Sequence, residues 1–273
     1  MQKKALIFGN LLLILGLIFV YNFSSKNTIE KSKSEVTIFT LDPLLGIHAK
    51  MITADDKNIY IPTRRGLSRE DLNKLNKSDI ILSSQLLSES EIGKELQNYK
   101  GLYVTIPPFD NTKTHSLTTL TRQIELIRDT LSDITPSHRG FYYDNAGNYI
   151  HLLDTTFNGL RTRINKYTAS PFITVGDNLN NFLSALKIEK YHLQNYTTME
   201  ELNSDKFVEE KDIKYIFFSG LPQESEIKKI QKKYPTVTIY RLPNLADDTS
   251  RWGYIRFVEK IMNDFVAAFD TYD

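Results

Sequence analysis

The chain has 273 residues, 34 basic against 33 acidic side chains, five histidines and no cysteine. Near-zero net charge gives no bulk electrostatic reason to bind nucleic acid. The absence of cysteine excludes disulfides, thiolate zinc sites, cysteine nucleophiles and lipidation of a cysteine. The apolar content of 41% with 25% charged residues is that of a folded globular chain, while only twelve glycines argue against a glycine-rich phosphate cradle.

The N-terminus orders a basic, an apolar and a polar region. Lys3 and Lys4 precede Ala5 to Tyr21, a run interrupted only by Asn10, and Asn22 to Lys26 is polar. This is the layout of a secretory signal. No small-residue cleavage site stands out and the apolar run is short for a spanning helix, so a cleaved signal and an uncleaved membrane anchor both remain open. Residues 1–25 are therefore read as signal or anchor and 26–34 as a polar tether, with the rest of the chain outside the inner membrane.

From there, short β-branched runs alternate with helical patterns. Strands are expected at Glu35–Thr40, Asn58–Ile61, Asp79–Ser83 and Gly101–Ile106. Helices are expected at Pro43–Met51 and after Ser68, which with Asp71 three residues on has the spacing of a cap. An amphipathic helix follows from Ser116 to Ser132. Thr135-Pro136 then reads as a new start, threonine capping and proline in the first turn. No strong breaker intervenes before Tyr167, although Gly140, Gly147 and Gly159 weaken the segment. A continuous helix there would run about 45 Å, too long for one α/β lobe.

The second half repeats the pattern. Strands are expected at Pro171–Val175, Lys190–Leu193, Lys214–Phe218 and Thr236–Tyr240, and helices at Asn178–Leu186, Glu224–Tyr234 and Trp252–Phe269. The fold class is α/β: two lobes with parallel sheets, 35–115 and 170–273, joined through a helical segment, 116–169, that carries one long linking helix. No enzyme motif is present: the chain has no G-x-S-x-G, H-E-x-x-H or P-loop.

Several segments in this order resemble the substrate-binding proteins of zinc and manganese ABC transporters, the ZnuA-like family. Thr40-Leu-Asp-Pro-Leu44 resembles the family's first strand and helix start. Asp71-Leu-Asn-Lys-Leu-Asn-Lys-Ser-Asp79 resembles its D-x-x-x-L-x-x-A-D segment, and Leu131-Ser-Asp-Ile-Thr-Pro136 the entry to its backbone helix. Phe172-Ile-Thr-Val-Gly-Asp177, with Phe182 and Leu186, resembles the segment containing H-D-A, and Lys214-Tyr-Ile-Phe-Phe218 the strand before its acidic ligand. The resemblance implies a helical-backbone metal receptor, extracytoplasmic and monomeric, that hands zinc or manganese to an ABC permease.

The family's ligands, three histidines and a carboxylate, do not carry over. Thr63, Arg64 and Arg65 stand where the first histidine is expected, in Ile61-Pro-Thr-Arg-Arg-Gly66. Thr112 stands at the second, with His115 nearest. Gly176 stands at the third, followed by a retained Asp177. The carboxylate position falls at Ser219 or, shifted, at Glu224. Two arginines beside a dication repel it by about 1 kcal/mol or more each. Either the site is rebuilt, with His115, Asp177 and Glu224 as candidate ligands, or metal binding has been lost and the chain is a non-transporting binding or adhesion module. Helix capping is the plain alternative for Asp177 and His115, and a helix first turn for Glu224. Arg64 and Arg65 could instead fork an anion. The remaining histidines, His48, His138, His151 and His192, are expected in core or surface roles.

Overall fold

The computed structural model describes residues 36–62, 67–84, 96, 99–106, 116–164, 171–176, 180–186, 192–196, 198–204, 213–218, 224–243 and 245–270. The N-terminal half contributes β1 (Ile38–Thr40), α1 (Pro43–Thr53), β2 (Ile59–Tyr60), α2 (Arg69–Lys77), β3 (Ile80–Ser83) and β4 (Leu102–Thr105). Two helices follow: α3 (Leu117–Ile134) and, after a 3₁₀ turn at Pro136–His138, the long α4 (Arg139–Ile164). The C-terminal half contributes β5 (Phe172–Val175), α5 (Asn180–Leu186), β6 (His192–Tyr196), α6 (Met199–Ser204), β7 (Tyr215–Phe218), α7 (Glu224–Lys233), β8 (Thr238–Arg241) and α8 (Gly253–Asp270).

Each half builds a four-stranded parallel sheet with the same winding, β2-β1-β3-β4 and β6-β5-β7-β8. The two-residue period of the strands sorts their side chains onto two faces. In β3, Ile80 and Leu82 join a core with α1, α3 and α4, while Ile81 packs with Phe39 and Leu75 beneath α2. In β7, Tyr215 and Phe217 enter that same large core, while Ile216 and Phe218 meet Ile230 of α7 and Tyr234 just past its end. One apolar core thus runs through both halves, and α4 is its spine. Tyr142, Ala146, Tyr149, Leu153, Phe157, Leu160 and Ile164 form the buried stripe of that helix at three- and four-residue spacing.

The local start signals are mostly those expected. Ser68 and Asp71 make a reciprocal capping box, and Tyr60 also donates to the Asp71 carboxylate. Ser116 caps α3 through the Thr119 N–H. Asp42 accepts from the N–H groups of Leu44 and Leu45 and so starts α1. Thr135 departs from expectation: its side chain makes no cap hydrogen bond, and its N–H instead closes α3 on the Leu131 carbonyl. The expected single rod from Pro136 therefore begins as a 3₁₀ turn. Its α-helical part has 26 residues, about 39 Å. Strand β6 runs to Tyr196, beyond the expected end at Leu193, and α6 has no counterpart among the expected elements. Its six residues carry too little periodicity to read.

Candidate functional site

In an open parallel sheet, a crevice forms at the carboxyl ends of the strands where the winding reverses. Here the reversals lie between β1 and β3 and between β5 and β7. At the first, strands β1 and β3 end at Thr40 and Ser83; at the second, β5 and β7 end at Val175 and Phe218.

At the first switch point the carboxylate is already committed. Asp42 Oδ1 accepts from Leu44 N at 2.9 Å and Leu45 N at 3.3 Å, and Thr40 Oγ1 bonds the Asp42 main chain. Gly46 lets α1 sit close on the sheet, because a Cβ there would stand 2.3 Å from Ile61 Cδ1.

At the second switch point stands Gly176, with φ of 102°. Its N–H donates to the Tyr196 carbonyl at 2.8 Å, and its carbonyl accepts from Asn195 Nδ2 at 3.5 Å. A side chain at this φ is strained. The backbone at Gly176 thus has a conformation that a histidine would resist. A polar chain supports the turn from below. Thr174, fully buried, donates to Asn195 Oδ1 at 2.6 Å, and its oxygen lies 2.8 Å from His192 Nε2. His192 also packs on the Phe172 ring. Burial pushes its pKa below the usual histidine range, opposed by a hydrogen bond with the Gln194 main chain.

Glu224 opens α7 on the solvent side. Its carboxylate is 2.8 Å from Lys228 Nζ and its side chain is 81% exposed. Gly176 and Glu224 are the sequence candidates that fall on described residues. Thr63, Arg64, Arg65, Thr112, His115, Asp177 and Ser219 lie outside them. Among the described residues no group of three or more histidine, cysteine, aspartate or glutamate side chains could hold a metal. No helix among them is long and apolar enough to cross a membrane. The remaining histidines divide as core or surface groups: His48 is buried, His138 is partly covered and His151 is exposed.

Sequence reasoning missed how the halves are tied. Lys50 of α1, almost fully buried, donates to the Thr249 carbonyl at 2.7 Å, and burial lowers its pKa against the pull of Asp56 and Asp248. The Arg251 N–H donates to Asp56 Oδ1 at 3.1 Å, and the guanidinium lies 3.8 Å from Asp56 Oδ2. Asn145 of α4 donates to the Ile52 carbonyl at 2.9 Å. These partners are about 90 to 200 residues apart in the chain, so no local pattern announces them.

The fold has relatives among solved structures. A periplasmic metal-binding protein from Candidatus Liberibacter asiaticus superposes with a TM-score of 0.67 at 19% identity, over 85% of this chain and all of that one. The Mn-bound form of that protein gives 0.65 at 18% identity with the same coverage. The solute-binding protein FpvC from P. aeruginosa, in complex with Ni²⁺, gives 0.68 at 15% identity over 88% of this chain and 98% of that one. At these identities the likeness establishes the fold. No curated protein sequence matches the chain. The family model for the periplasmic component A of zinc-uptake complexes, ZnuA, matches residues 62–268. That match spans most of the chain, from just past β2 into α8, and with the twice-wound parallel sheets on one helical spine it establishes that the chain belongs to the ZnuA family.

Proposed function

We propose that the protein is an exported solute-binding protein of a metal-type ABC importer. It takes its ligand between the two halves and presents it to a permease. The observation that carries this reading is the repeated sheet winding: two equivalent switch points, one per half, on a single helical spine. The family match supports it. The cargo by family is a divalent cation, zinc or manganese, for which imidazole and carboxylate donors are suited. His115, Asp177 and Glu224 are the proposed donors. Thr63, Arg64, Arg65, Thr112, Gly176 and Ser219 are proposed as the other groups of the cleft. A 26-residue spine shared by one core favours small shifts of the halves over wide hinge opening. Residues 1–25 are proposed to direct export or to anchor the chain, 26–34 to tether it, and 35–115 and 170–273 to form the lobes of a monomer.

The left-handed backbone at Gly176 favours a second reading, in which the fold is kept and metal binding is lost. Elemental analysis of the purified protein, with zinc and manganese thermal-shift titrations, separates the two. Bound metal at near one equivalent and a rise in melting temperature support transport of a cation. No bound metal and no shift at excess cation would overturn it in favour of a metal-free binding module.

A further inference from the structure

The face of α4 opposite its buried stripe floors a second concavity of about 960 Å³, which is not at either switch point. Its walls come from both halves: Met51 at the far end of α1, and Trp252 immediately before α8. The floor is Phe141, Asp144, Gly147 and Asn148, at helical spacings that bring them to one side of α4. The volume is in the range of small-molecule sites. Trp252 is the only tryptophan of the chain and remains 46% exposed at the rim. Gly147 leaves the helix backbone bare, with nothing within 4 Å of where a Cβ would stand.

The charges select the ligand class. Arg251, which also lines the groove, is paired with Asp56, its guanidinium 3.8 Å from Oδ2. Asp144 makes no ion pair among the described residues. With Arg251 paired, Asp144 is the carboxylate that lines the groove, alongside Phe141, Tyr143 and Trp252. Ring faces and a single carboxylate attract a weakly hydrated organic cation, and the apolar wall of Met51 and Phe141 suits a compact hydrocarbon body.

We propose that this groove is a binding site for a small organic cation, an alkylated ammonium with an apolar body, held by Asp144 and the Trp252 ring. The site bridges the halves without using any residue of the switch points, so it stands or falls independently of metal binding.

Trp252 emission, a reporter free of other tryptophans, tests it at pH 8 without added metal. Choline and benzyltrimethylammonium are titrated beside 3,3-dimethylbutan-1-ol, the uncharged isostere of choline. A saturable change with the cations is expected, with the isostere about tenfold weaker or more. Asp144→Asn is expected to weaken the cations about tenfold and bring them level with the isostere. Gly147→Leu, which fills the floor, is expected to abolish both responses. Should Gly147→Leu fail to fold, Asn148→Lys at an exposed position replaces it and is expected to remove the cation response while sparing the isostere. No saturable change at millimolar cation, equal affinity for choline and its isostere, or an undiminished response in the filled or lysine variant each overturns the proposal.

Discussion

His48 Nδ1 and the Tyr149 hydroxyl lie 3.1 Å apart in the shared core, joining α1 of the first half to the helical spine. Both side chains are essentially fully buried, and Tyr254 of α8 stands edge-on to the imidazole at 6.1 Å. Burial pushes the Tyr149 pKa far up, so the phenol keeps its proton. The contact is a hydrogen bond in a low-dielectric core, and breaking it from one side leaves the other group without it.

Tyr149→Phe is therefore expected to destabilise the protein by about 1–3 kcal/mol, more than the loss of an exposed hydroxyl. Urea unfolding measures it. The double variant His48→Leu with Tyr149→Phe is expected to cost less than the sum of the two single changes, because it removes both polar groups together.

Histidine 192 gives the fold a pH dependence of known sign. Its folded pKa is lowered by burial below the 6.5 of an exposed imidazole, so below that pH the unfolded chain binds more protons than the folded one. Its contribution is complete above pH 6.5 and is lost as pH falls through the folded value. Unfolding free energy measured from pH 8 to pH 5 is expected to fall at the acid end, and His192→Gln is expected to flatten that fall.

A histidine placed at 176, where the sequence resemblance puts a ligand, is not expected to create a metal site. Gly176→His places a side chain on a backbone with φ of 102°, at a cost of about 1–3 kcal/mol. Thermal unfolding should show that loss, and zinc titration of the variant should show no gain over the parent. A gain in zinc affinity at unchanged stability would show that the turn yields easily.

Glycines 140, 147 and 159 sit on the solvent side of the spine with nothing within 4 Å of a Cβ. Each change to alanine is expected to stabilise by about 0.5–1 kcal/mol by restricting the unfolded chain, and the three together to raise the melting temperature additively. A destabilising Gly147→Ala would mean that something packs on that face in solution.

The tie between halves is expected to be local in its effect. Lys50→Met keeps the buried stem but removes the hydrogen bond to the Thr249 carbonyl and is expected to cost about 1 kcal/mol. Hydrogen exchange should quicken at residues 249–252 and remain slow in β3 and β7.

Much of this fold is legible from the amino-acid order because its signals are local. The β-branched and aromatic runs at Ile38, Ile80, Phe172 and Tyr215, the Ser68 box, and the apolar stripe of α4 each act within one or two turns or strands, and together they dictate two α/β halves on a helical spine. The motif order was enough to identify the family. What residues alone could not decide was decided by long-range packing. Whether Thr135 caps or closes a helix depended on which neighbour offered the better hydrogen bond. The glycine at 176 reads as a missing ligand until its φ is seen. The pairing of Lys50 with Thr249, and the groove that Trp252 and Asp144 both line, join residues more than a hundred positions apart, and only burial of the shared core brings them together.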